Sequence, residues 1–167
     1  MVQNAEYWIR ALELAAHPEG GHYRETYRSA ETVSGAALPE RFSGDRCFAT
    51  SIYYLLESGE VSRLHRIRSD EIWYHHAGAP VIIHVLAPGG GYRALKLGRD
   101  IEAGEAPQAV VRAGCWFGAA VEGDESYCLA GCSVAPGFDF ADFELASRDA
   151  LLEEFPHHRD IIMKLTR

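Results

Sequence analysis

The chain has 167 residues, 47% of them hydrophobic and 24% charged, the make-up of one soluble domain able to bury roughly two-thirds of its unfolded surface. Its net charge of −8, with no cluster of Lys or Arg to offset it, repels phosphate backbones and sets nucleic acid and anionic membranes aside as partners. The opening MVQNAEYWIR lacks a basic stretch followed by an apolar core, and no apolar run approaches the ~20 residues that span a bilayer, so a cytoplasmic protein is expected.

Asn4 is a good N-cap, and Trp8, Ile9, Leu12 and Ala16 recur at helical spacing until His17-Pro18 ends the pattern. Glu19-Gly20-Gly21 reads as a turn, and His22 to Tyr27 is rich in β-formers. From Ser29 to Asp45 the residues are small, polar and Gly/Pro-bearing, which predicts a surface loop. Ala49 to Leu56 is a strand, with Ile52, Tyr54 and Leu56 on one face and Ser51, Tyr53 and Leu55 on the other.

Further strands are expected at Glu71 to His76, Ala79 to Leu86, Tyr92 to Leu97, Gln108 to Val111, Cys115 to Val121 and Ser126 to Val134. The turn Pro88-Gly89-Gly90-Gly91 joins two of them as a hairpin. Short strands broken by glycine turns indicate an all-β sandwich or barrel. Ser147 then caps a helix through Leu151, Leu152 and Phe155, and a second turn or helix covers Arg159 to Leu165. With no internal repeat or linker, a single domain over 1–167 with helical ends is expected.

Cys47, Cys115, Cys128 and Cys132 form no C-x-x-C pair. Cys128 and Cys132 fall on one strand face about 13 Å apart, too far to bridge. They read as buried free thiols of a reducing compartment, and zinc is not expected.

The segment Gly59 to Gly78, GEVSRLHRIRSDEIWYHHAG, carries the chemistry. Its Gly59, His65, Glu71 and Gly78 resemble the first motif of the cupin superfamily, whose members fold as a small jelly-roll barrel with two histidines and a glutamate pointing inward. Together with HPEGGHYRETYRS (17–29) and GCSVAPGFDFADFEL (131–145), it is similar to the uncharacterised single-domain cupin-5 type family. Ile67 stands where the second histidine of that motif belongs. In the counterpart of the second motif, Arg112 to Phe117, Gly114 fits, but Phe117 takes the place of the third histidine and Val121 that of the asparagine. Two remaining ligands, His65 and Glu71, are too few to hold a transition ion against water. The expectation is therefore a barrel without a metal or other cofactor.

Period-two alternation sets Glu71, Trp73 and His75 on one face of their strand. If Glu71 points inward, as the resemblance implies, Trp73 and His75 line the lumen, with Phe117 as a second aromatic wall. That arrangement suits a small ring-shaped ligand. A Glu71 carboxylate bonded to one nitrogen of His65 would raise the basicity of the other, as in the sugar-nucleotide epimerases that share the cupin barrel, with Tyr53 as a proton donor. The plainer alternative makes His65 an inherited, idle barrel residue and Trp73 and Phe117 simple core. His22 and Arg24 are further family-like features, Arg24 being an anion contact or a partner for one of the acidic residues. Three readings stay open: a metal-independent binding domain for a ring-shaped metabolite, a metal-free epimerase or isomerase acting on a carbohydrate derivative through His65, and a metal-dependent oxygenase or isomerase with an unorthodox ligand set. The resemblance also implies a homodimer.

Overall fold

The computed structural model describes residues 3–166. In chain order it contains α1 (Ala5–Ala11), β1 (Ala15–Ala16), β2 (His22–Arg28), β3 (Thr32–Val33), β4 (Arg46–Cys47), β5 (Thr50–Glu57), β6 (Ser62–Arg66) and β7 (Asp70–Gly78). There follow β8 (Val81–Ala87), β9 (Gly91–Leu97), β10 (Gln108–Val111), β11 (Trp116–Val121), β12 (Tyr127–Ala135), β13 (Glu144–Leu145), α2 (Arg148–Glu154) and α3 (Arg159–Leu165). A six-stranded sheet ordered β1-β2-β5-β12-β7-β10 faces a five-stranded sheet ordered β13-β6-β11-β8-β9, and β3 pairs with β4 apart from both. Every named strand pair is antiparallel, so the fold is the expected jelly-roll barrel. No helix of the described residues is long and apolar enough to cross a membrane.

The barrel interior is filled from both sheets. Tyr54, Leu56, Trp73, Cys128, Ala130 and Cys132 of one meet Ile83, Val85, Leu97, Phe117 and Ala119 of the other. A second apolar layer lies outside the five-stranded sheet, where Leu151 and Phe155, with Ile162 and Leu165, cover Leu64, Leu86, Trp116 and Ala120. Helix α1 covers the other sheet, its Trp8 and Ile9, with Leu12 just past its end, packing toward buried Leu55 and Leu129.

Three departures from the expected elements shape the site. The first helix stops at Ala11 instead of running to Ala16. Glu13 turns into the left-handed region, at φ 52°, and Ala15–Ala16 pair with His22 and Tyr23 as β1. A seven-residue helix gains little from propensity alone, so ladder pairing wins over another turn of helix. The loop from Ser29 to Asp45 is in part ordered, with β3 returning against β4 and Phe42 buried.

Strand β6, in a segment whose motif was legible but whose strand was not, pairs with β11 on one side and β13 on the other. Its register slips between Phe117↔His65 and Ala119↔Ser62. That bulge brings Ser62 and His65, three positions apart, to the same carboxylate, as alternation alone would not.

Candidate functional site

A cavity of about 290 Å³ opens inside the barrel, bounded by β2, β5, β7 and β12, the end of β6 and the segment after β12. Its polar wall starts from the turn before β2. Gly20 and Gly21 have φ of 117° and 69°, and a Cβ on either would sit 2.2 Å from the Val61 carbonyl oxygen or 2.6 Å from that of Leu55. Only glycine permits both the backbone sign and that approach. The turn thereby presses Glu19 against β6.

There Glu19 Oε1 accepts a 2.8 Å hydrogen bond from the Ser62 hydroxyl, and Oε2 stands 3.1 Å from His65 Nε2. His65 Nδ1 lies 2.7 Å from the Arg63 carbonyl oxygen. A carbonyl oxygen only accepts, so Nδ1 carries a proton and Nε2 is the nitrogen turned to the Glu19 carboxyl group. The pair is sealed from solvent, with side chains 3% and 8% exposed. Glu19's own N–H donates to His17 Nδ1, which leaves His17 its proton on Nε2. Burial, the largest cause, lowers the His17 pKa and keeps that ring neutral.

Glu71 is 8% exposed, and its pKa is pushed up to about 8, first by burial and then by the charge of Glu19. At neutral pH it is mostly a carboxylic acid, able to donate a proton. Cys132 beside it is driven well above the usual thiol range by burial and by the Glu71 charge, so it is an inert thiol. Aromatic rings complete the wall: Tyr23, Tyr54, Trp73, Phe138, Phe140 and Phe143. The Trp73 indole nitrogen is buried without a hydrogen-bond partner. Tyr54 donates to the Gly20 carbonyl oxygen at 2.8 Å, and Arg28 holds the far rim by donating to the Phe138 carbonyl oxygen and to both oxygens of Glu25.

Of the side chains singled out from the sequence, His65, Glu71 and Trp73 line this cavity; Tyr53, His75 and Phe117 do not. Tyr53 lies on the opposite face of β5, beneath α1, and packs edge-on against His76. Its neighbour Tyr54, on the opposite face by alternation, takes the inward position instead. His75 is carried toward the other end of the barrel, where its Nε2 meets the Ala79 carbonyl oxygen at 3.2 Å, beside a slip in the β7–β12 register. Phe117 is 1% exposed and packs behind His65, ring centroids 4.1 Å apart.

The carboxylate bonded to His65 is Glu19 and not Glu71. Its signal was present: an acid placed directly before a Gly-Gly turn, within the block HPEGGHYRETYRS. Alternation along β2 turns Tyr23 and Glu25 to the cavity and Arg24 outward, where it takes the acidic partner expected of it, Glu13, and donates to the Leu12 carbonyl oxygen.

The donor set differs from the metal centre that such barrels commonly hold. Ile67 contributes hydrocarbon to the wall, Phe117 stands behind it, and His65 is already engaged by Glu19 and Arg63. No three His, Cys, Asp or Glu side chains among the described residues form a group that could hold an ion. These residues do not fit a resident metal.

A family model described as Cupin superfamily (DUF985) matches residues 6–146. The chain is 31% identical over 145 residues to the uncharacterized protein YML079W of Saccharomyces cerevisiae, covering 80% of this chain and 71% of that protein. The X-ray structure of protein SO0799 from Shewanella oneidensis aligns with a TM-score of 0.88 at 46% identity, over 99% of each chain. A hypothetical protein from Leishmania major aligns at 0.90 and 37% identity, over 98% of each chain. Bacillus subtilis oxalate decarboxylase shares the fold alone, with a TM-score of 0.54 at 14% identity over 90% of this chain and 36% of that one.

Proposed function

Because the chain belongs to the cupin superfamily, in its DUF985 family, we propose that its barrel binds a small ring-bearing metabolite without a resident metal. The observation that carries this reading is an enclosed space walled by aromatic rings into which buried acid–base groups converge. Rings supply apolar contact and stacking, while a few polar groups fix orientation. Buried ionisable groups cost stability unless they are used or well paired, and Glu71 has no ion-pair partner among the described residues. Protein held in a reducing compartment suits its four free cysteines. Homodimer formation follows from family resemblance alone and is read by light scattering.

Mass spectrometry of small molecules released from the purified protein tests the reading. Affinity for a released ring compound is expected to fall about tenfold in Phe140→Ala and in Tyr23→Ala, since loss of an aromatic wall typically costs more than ~1 kcal/mol. Both residues line the cavity without lying in the fully buried core. Unchanged affinity in both variants refutes binding in the barrel.

A second reading, acid–base isomerisation, is favoured by one specific observation: the His65–Glu19 pair and Glu71, whose pKa burial pushes up to about 8, share one cavity. The Glu19 carboxylate, held by the Ser62 hydroxyl and facing His65, would take the proton from a carbon beside a carbonyl, the electron pair moving onto the carbonyl oxygen. Glu71 would return a proton to that carbon. Solvent deuterium should then enter the bound compound, and the rate should fall above about pH 8 as Glu71 ionises. No deuterium uptake by the wild-type protein discards catalysis and leaves binding.

A further inference from the structure

Beside the barrel cavity, and sharing Ile67 and Phe143 with it, lies a second hollow of about 460 Å³. Three arginines, Arg41, Arg66 and Arg68, line it in a chain whose net charge is −8. Two of them are fastened together. Arg41 Nε donates to the Arg68 carbonyl oxygen at 2.7 Å, and Arg68 Nη1 donates to that of Arg41. This reciprocal bonding fixes two cationic side chains on the wall of the hollow, where they favour an anion.

Two carboxylates, Asp142 and Glu144, share that wall, and they and the nearby Asp70 are already engaged. Asp142 receives both arms of buried Arg46, at 2.7 and 2.6 Å, and stands 3.7 Å from Arg68 Nε. Glu144 is taken by Arg66 Nε at 2.8 Å. Asp70, close enough to feel Arg41, is held by Arg112 and the Ala113 N–H. Both terminal nitrogens of Arg41, both of Arg66 and one of Arg68 therefore have no protein acceptor among the described residues. The Arg66 guanidinium lies over the Trp116 ring, its Cζ 4.3 Å from the ring centre, a contact that restricts the fork before any ligand arrives.

We propose that this hollow is an oxyanion subsite continuous with the barrel cavity, and that the metabolite carries a phosphate ester reaching Arg41, Arg66 and Arg68 while its ring occupies the barrel. The inference rests on the ring-binding reading for its second half and on the arginines alone for its first. Guanidinium forks match the spacing of phosphate oxygens and hold them by charge-assisted bonds. The hollow is roomier than a bare phosphate needs, which suits an ester linkage running past Ile67 and Phe143.

Calorimetry on the full chain at low salt, with inorganic phosphate, phenol and phenyl phosphate as probes, tests each half separately. Phosphate is expected to bind saturably and to lose about tenfold in affinity in Arg41→Gln and in Arg68→Gln, with Arg68→Lys losing less. Phenyl phosphate is expected to bind more tightly than phosphate or phenol, because the second contact is made within one molecule. Phenol affinity should not respond to the arginine substitutions.

Arg66→Gln provides an independent arm if the reciprocal pair proves necessary for folding, since it contacts only the half-exposed Glu144 and the Trp116 ring among the bonds described above. Phosphate binding that is absent, or equal in wild type and all three Gln variants, overturns the subsite whatever phenol does. Phosphate lost in the variants while phenol never binds retains the subsite and removes the ring reading. Phenyl phosphate no tighter than phosphate breaks the continuity between the two hollows.

Discussion

The two faces of the five-stranded sheet bury their side chains on different terms. Outside, Leu64, Leu86, Trp116 and Ala120 meet Leu151, Phe155, Ile162 and Leu165 in an apolar layer. The one buried imidazole on that face, His84, is held neutral, lowered to about 4 chiefly by burial. Inside, the same strands present Ile83, Val85 and Phe117, but also His65, joined to Glu19 and sharing its cavity with Glu71. Neighbouring residues of β6 thus go to opposite fates, Leu64 into dry packing and His65 into a charged pair. The outer face spends its burial on holding the helices in place. The inner face carries ionisable groups whose desolvation opposes folding, a pattern expected where a ligand or a reaction needs them.

Truncation separates the two faces most strongly. Phe155→Ala is expected to cost about 3–5 kcal/mol in chemical denaturation and to leave ligand affinity in the remaining folded protein unchanged. Glu19→Ala strips the partner from a buried imidazole and should cost about 3 kcal/mol, with ligand affinity falling as well. If Phe155→Ala weakened binding as much as Glu19→Ala did, the distinction between the faces would collapse.

Glu71 supplies the next effect. Its folded pKa, about 8, exceeds the ordinary 4.5. Between those values the native state holds a proton that the unfolded chain releases, so stability falls as pH rises through that window, by up to about 4 kcal/mol. Glu71→Gln should flatten this decline while leaving stability at pH 4 nearly unaltered. An equally steep decline in the variant would place its origin elsewhere.

Adjacent tyrosines of β5 sharpen the comparison on a smaller scale. Tyr54→Phe removes the hydrogen bond to the Gly20 carbonyl oxygen and should cost about 1 kcal/mol. It also loosens the turn that carries Glu19, so ligand affinity should drop. Tyr53→Phe, on the face beneath α1, should leave ligand affinity unchanged.

A separate pH effect lies on the outer face. Because the His84 pKa is depressed from 6.5 to about 4, its neutral form contributes stability above pH 6.5 that is lost as pH falls toward 4. His84→Phe should shorten that acid limb in a denaturation series from pH 7 to 4. A limb of unchanged depth would show that His84 does not set it.

The alternating strands of the barrel were legible because period two is a local property. Gln108–Val111 is found where expected, and the inward row of β5 contains Ile52 and Tyr54 on the cavity wall. Strand β6 was not legible as a strand, because its Ser-Arg-Leu-His-Arg run has no hydrophobic alternation to read. The residues near His65 in sequence were similarly visible, whereas Glu19 was not recognised as its partner. No local pattern joins positions forty-six apart; that contact depends on a glycine turn docking against a neighbouring strand.

Sequence alone was enough to determine a β-barrel with helical ends, the two alternating faces of its regular strands, and hydrocarbon at Ile67 and Phe117 where imidazoles commonly stand. Tertiary structure decided which carboxylate His65 meets, which tyrosine enters the cavity, and that three arginines gather beside it. Side-chain alternation is written in the covalent chain, one residue at a time. Register, bulges and the approach of distant turns arise only when separate segments compete for the same backbone partners and the same buried space.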